Sequence, residues 1–156
     1  MDLNVDAAHA AAGGGGGTWL PVVDNLTWLT QYVISEPPVF VRYSRGPYDD
    51  AMLGHSRDLE ADVLLPGWSV TSLTPEPWWP RPEQDWVSRR IYKYAEIARD
   101  SERFPWILKG TVIGRGTDHE PLVVDIIPIA RLGAEVLAQA AEHYREHFNA
   151  GLGPSG

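Results

Sequence analysis

Apolar positions mark out the elements of this chain before any single residue suggests a chemistry. Leu26, Leu29, Tyr32 and Val33 fall at helical spacing behind Asp24 and Asn25, either of which can cap a helix, and Pro37-Pro38 would end it. Residues 39–44, VFVRYS, alternate and are rich in β-formers, so they predict a strand closed by the turn Arg45-Gly46-Pro47. The following YDDAMLGHSRDLEADVLLPG is polar and without a clear period, and reads as a loop holding a short helix or strand. WSVTSL, residues 68–73, predicts a second strand, and the proline-rich PEPWWPRP beyond it favours extended geometry. After Pro82 a second helix is marked by Val87, Ile91, Tyr94, Ala95 and Ala98, ending near Asp100. Residues 106–113 and 122–129 predict two strands joined as a hairpin by GRGTDH. A last helix over 133–148 places Val136, Leu137, Ala140, Tyr144 and Phe148 on one side, with Gly151 as its stop.

The resulting order, α-β-β-α-β-β-α, predicts an α+β fold with about three helices on a mostly antiparallel sheet. At 156 residues the chain has room for one compact domain with a genuine core. That domain is expected over 18–150, between a disordered tail at 1–17 that ends in five glycines and a flexible tail at 151–156.

Charge narrows the partners. Twenty-one acidic against 13 basic residues give −8, and no Lys or Arg precedes Arg42. Such a surface repels phosphate backbones, which argues against nucleic acid, and the cation-free start argues against a secretory or transit leader. With no Cys there is neither a disulfide framework nor a thiolate nucleophile. The most apolar run, PLVVDIIPIA, is interrupted by Asp125 and is about half a membrane span in length. A soluble cytoplasmic protein with no membrane partner is the expectation.

Several segments spell possible chemistry. HYREH, residues 143–147, sets His143 and His147 four apart on a helix with Glu146 between them, the H-x-x-E-H spacing of one class of zinc peptidases. Such a site needs a third protein ligand. Only nine residues follow His147, none of them Asp, Glu or His, and nothing in the spacing points to His119 or Glu120 instead. The expectation is therefore an ordinary helix end with Tyr144 inward, and no metal. Gly114 and Gly116 lack the third glycine of a phosphate-binding loop and read as a turn, and His55 and Ser56 have no identifiable partners. Trp78-Trp79, boxed by prolines, is either a lid packed on the sheet or a rigid platform for a flat ligand. Arg42 lies mid-strand between Val41 and Tyr43, where a buried guanidinium would need a carboxylate or phosphate, and Glu120 opens an apolar strand.

The phrases FVRYSRGP, LPGWSV, EPWWPRP and GRGTDHEPLV resemble a family of small bacterial proteins of unknown function, which implies a compact domain and no particular activity. More loosely, the order of Arg42, a Ser-Thr-Ser-like strand and then Glu120 resembles the R-S-E class of ADP-ribosyltransferases, which hold NAD in a cleft between two sheets. That resemblance implies Arg42 as a clamp on the NAD phosphates or ribose, and Glu120 as the catalytic carboxylate facing an oxocarbenium-like ribose. Ser72 would stand beside it, with Ser69 and Thr71 supporting the cofactor and Trp78 and Trp79 available for stacking. The motif here is Ser69-Val70-Thr71-Ser72, and the paired glutamates of the class reduce to Asp118-His119-Glu120. Three functions remain open on these grounds: an NAD-using transferase or glycohydrolase-like enzyme, a non-catalytic module that binds a small molecule or a protein, and a small tailoring or cyclase enzyme acting through an apolar pocket.

Overall fold

The apolar runs on either side of GRGTDH form the two longest strands, and the domain is wrapped around them. The computed structural model describes residues 20–54, 57–58, 63–97 and 102–148, with 57–58 and 63–64 described by backbone only. The tails expected at 1–17 and 151–156 lie outside the described residues, as do His55, Ser56, Asp100 and Gly151. In chain order the elements begin with β1 (Val22–Val23), α1 (Leu26–Ser35), β2 (Phe40–Ser44), α2 (Pro47–Leu53), β3 (Arg57–Asp58) and β4 (Val63–Leu64). They continue with β5 (Trp68–Ser69), β6 (Thr71–Ser72), α3 (Glu83–Ile91), α4 (Tyr94–Ile97), β7 (Phe104–Arg115), β8 (Pro121–Leu132) and α5 (Ala134–Phe148).

This is one compact α+β domain, as the patterning predicts, with two additions to the helix count. α4 is a single turn that resumes after α3 is interrupted at Tyr92 and Lys93. α2 starts in the turn expected at Arg45-Gly46-Pro47 and runs into the polar stretch expected to hold a short helix or strand. Gly46 takes φ of 106°, which glycine tolerates without strain, Pro47 is preset for a first helical turn, and Asp49 and Asp50 favour the helix N-terminus. Only Asp50 of α2 is buried, so the helix carries no apolar stripe for periodicity to reveal. α1 starts as its cap residues suggest: the Asn25 side-chain oxygen accepts the Trp28 N–H at 2.7 Å.

The sheet runs β1-β8-β7-β2-β6, and β5 also pairs with β8. WSVTSL is therefore two strands: Trp68 and Ser69 pair with Val123 and Leu122, whereas Thr71 and Ser72 pair with Val41 and Phe40. Crossing from the edge of β8 to the edge of β2 within five residues curls the sheet on itself and covers both edges. The long hairpin bends to allow this through register shifts between Ile107 and Leu108, Lys109 and Thr111, and Val112 and Gly114. At one of them Asp125 adopts φ of 55°, a left-handed conformation that Asp accepts more readily than most residues.

Alternation along the strands divides the core. Val39, Val41, Ile107 and Ala130 face the helices and join Leu29, Val33, Val87, Ile91 and Val136. Phe40, Val70, Trp106, Leu108 and Val123 fill the inside of the curl. Burial raises the tyrosine pKa of Tyr32, with Glu36 adding to it, and that of Tyr94, with Tyr43 adding to it, above the ordinary 10.0. Below pH 10 both folded and unfolded chains keep these protons, so stability is unaffected; above it the unfolded chain releases them first and stability falls through the folded pKa. Urea midpoints between pH 8.5 and 11 should decline at the alkaline end, and Tyr94→Phe should flatten part of that decline.

Candidate functional site

The turn at Gly46 reverses the chain so that α2 lies back over the end of β2, and this brings Asp50 onto Arg42. Arg42 Nε donates to Asp50 Oδ2 at 2.6 Å, and Arg42 Nη1 donates to the Ser69 carbonyl at 2.7 Å. The Ser44 hydroxyl donates to the same Asp50 oxygen at 2.8 Å and accepts the Trp106 indole N–H at 2.9 Å. Four side chains from β2, α2 and β7 thus form one buried relay, Trp106 to Ser44 to Asp50 to Arg42. A guanidinium removed from water needs a carboxylate of this kind, and the fold supplies it from a helix that sequence periodicity does not show.

Above this relay lies a pocket of about 480 Å³ lined by Arg42, Pro47, Asp50, Ala51, Trp68, Trp106, Val124, Asp125, Ile126 and Pro128. Its size falls within the usual range for small-molecule sites, which are apolar chambers with a few convergent polar groups. Trp106 is 1% exposed and fixed by its hydrogen bond, so the wall it forms is rigid. The charge of Arg42 is matched by Asp50, and Asp125 on the wall adds a second acid. The lining therefore suits an apolar body carrying a neutral hydrogen-bonding group better than it suits an anion.

A second, more polar slot of about 330 Å³ opens where the chain leaves β8 after β5 to join β2 as β6, and Arg42, Ser69, Thr71, Asp118 and Glu120 line it together with Tyr43 and Tyr94. Glu120 is half-buried. Its Oε2 accepts the Ser69 hydroxyl at 2.8 Å and its Oε1 accepts the Asp118 N–H at 3.0 Å. A Cβ at Gly116 would overlap the Glu120 carboxylate, which would then have to move from its present position. Arg42, Ser69, Thr71 and Glu120 are thus brought together. Ser72 is not among the residues of the slot; its hydroxyl donates to the Thr74 carbonyl at 2.8 Å, and its own carbonyl accepts the Trp86 indole at 3.1 Å.

Trp78 and Trp79 line neither cavity. They pack edge-on against Trp86, with centroids at 6.0 and 5.1 Å, and the Trp79 indole donates to the Pro82 carbonyl at 3.2 Å. Arg90 lies over the Trp86 ring at 4.3 Å, and burial, followed by neighbouring Arg89, lowers its pKa while Glu76 acts the other way. In HYREH, Tyr144 stacks on Tyr92 at 3.8 Å, and His143 meets Asp85 of α3.

Sequence reading misses Asp50, Ser44 and Trp106 as site residues. The available signal was the acidic pair Asp49-Asp50 just beyond Gly46-Pro47, a helix-start pattern within reach of the mid-strand Arg42.

Among the described residues no helix is long and apolar enough to cross a membrane. No curated protein and no solved structure matches the chain. A family model does: that of a family of unknown function, DUF6098, over residues 17–152.

Proposed function

We propose that this chain, which belongs to the DUF6098 family, is a small-molecule-binding domain whose ligand occupies the pocket between α2 and the curled sheet. One observation carries this reading: the apolar chamber of about 480 Å³ has a rigid Trp106 wall and a neutralised Arg42–Asp50 pair at its base. Apolar walls supply affinity, the satisfied ion pair supplies orientation, and Asp125 leaves the lining with one acid in excess, which disfavours anions. The ligand class is a compact apolar molecule with one neutral hydroxyl or amide.

A second reading rests on the slot. Arg42, Ser69, Thr71 and Glu120 share it, the residue set that an NAD-dependent ADP-ribosyltransferase-like or glycohydrolase-like enzyme would use, with Glu120 facing the ribose as the bond to nicotinamide breaks. Against it, Arg42 already serves Asp50 and Ser69, and both Glu120 oxygens already accept hydrogen bonds.

Thermal shift on the full chain separates the two. The panel is indole, benzamide, benzyl alcohol and cyclohexanol, with benzoate as the charged counterpart, beside NAD and ADP-ribose. A ligand at about 100 times its dissociation constant stabilises the native state by roughly 2.7 kcal/mol. Neutral members of the panel should raise the melting temperature more than benzoate does, and NAD and ADP-ribose should leave it in place. The reverse pattern would transfer the function to the slot.

A further inference from the structure

We propose that Asp85, His143 and His147 bind one divalent transition-metal ion of the zinc class across the contact between α3 and α5. Spacing alone leaves the two histidines one ligand short, and the fold supplies that ligand from α3, at a position 58 residues from His143 in the chain. His143 Nε2 is 2.7 Å from Asp85 Oδ1, and His147 Nδ1 is 3.9 Å from the same oxygen. One ligand atom from each of the three residues can be chosen so that all lie within 4.8 Å of one another. Tetrahedral zinc with bonds of about 2.0–2.1 Å sets neighbouring ligand atoms roughly 3.3 Å apart. The separations from Asp85 Oδ1 then change by about half an ångström each, and the two imidazoles, stacked with centroids 4.0 Å apart and 20° between their planes, rotate out of the stack so that both lone pairs meet the ion.

The surroundings are arranged as a ligand set requires. Arg81 Nε holds Asp85 Oδ2 at 3.0 Å and Arg81 Nη2 donates to the His147 carbonyl at 2.8 Å, which leaves Oδ1 directed at the rings. On the far side of His143 the Gln84 amide lies 3.4 Å from Nδ1. The Gln84 nitrogen faces the ring and can donate to Nδ1 while Nε2–H donates to Asp85; on metal binding the Nε2 proton leaves to solvent and a half-turn of the amide lets its oxygen accept from Nδ1, the outer support that metal-bound histidines commonly have. The positive charge of Arg81 is offset by Asp85, and Glu142 and Glu146 flank His143 along the adjoining groove. His147 is 47% exposed, so an ion can enter from solvent, and three protein ligands leave a position for water. Two imidazoles and one carboxylate suit zinc and neighbouring first-row ions better than calcium or magnesium.

The test is calorimetric titration of the chelator-treated full chain with zinc chloride, with melting temperature and bound metal measured in parallel. We expect one zinc per chain, a higher melting temperature with zinc, and an affinity reduced by about 100-fold or more in His147→Ala and Asp85→Asn. Cobalt substitution should give the absorption bands of a low-symmetry four-coordinate site. Should Asp85→Asn fail to fold, His147→Ala carries the test alone, because its half-exposed ring leaves the metal-free melting temperature in place. Sub-stoichiometric zinc in the wild type, or wild-type affinity in His147→Ala, overturns the site and leaves Asp85 and His143 as a hydrogen-bonded clasp between the helices, with His147 stacked on His143.

Discussion

Replacing Trp106 by alanine should destabilise the domain by about 3–5 kcal/mol, a large part of the stability of a domain this size. The ring is 1% exposed and packs with Phe40, Leu108 and Val123 inside the curl, so truncation leaves a cavity that closed strands on several sides cannot collapse into. Its indole also donates to Ser44 Oγ, so the change weakens the relay that orients Asp50. Trp106→Phe keeps most of the volume and loses the donor, and should cost far less, about 1–2 kcal/mol. Urea denaturation of both variants reads the difference. A loss under 1 kcal/mol in Trp106→Ala would mean that the inside of the curl is loosely packed.

Asp50→Ala should cost about 3–5 kcal/mol by a different route. Asp50 and Arg42 have side chains only 10% and 17% exposed, and removing the carboxylate strands a largely desolvated guanidinium. The double variant Arg42→Met, Asp50→Ala takes away the stranded charge, so it should recover a substantial part of the loss in a double-mutant cycle. If the double variant were as unstable as the sum of the two single changes, the pair would not be coupled as the geometry requires.

The sequence made the hairpin, the first and last helices and the strand at Phe40–Ser44 legible because each buries one face and so prints its period on the chain. α2 was legible only as a short helix or strand somewhere in a polar stretch, since its one buried residue is an acid whose role depends on Arg42 across the turn. The split of WSVTSL was hidden for a related reason: Trp68–Ser69 and Thr71–Ser72 look like one strand, and only the curl of the sheet assigns them different neighbours. HYREH shows the same limit in its sharpest form. A two-helix cluster leaves two of its members visible at helical spacing and the third, Asp85, invisible until α3 and α5 pack together. The slot residues Arg42, Ser69, Thr71 and Glu120 were reachable through strand order, whereas Ser72, Trp78 and Trp79 serve hydrogen bonding and packing elsewhere in the fold.

The most direct test of the proposed function is a residue-resolved titration. The ¹⁵N-labelled full chain is titrated with indole and with benzamide while backbone amide and indole N–H shifts are followed. The pocket assignment predicts saturable changes largest at the Trp68 and Trp106 indoles, at Ala51 and Asp50 of α2, and at Asp125 and Ile126 of β8. Changes centred on Tyr43, Tyr94 and Glu120, on Trp78 and Trp79, or nowhere in the domain would contradict it.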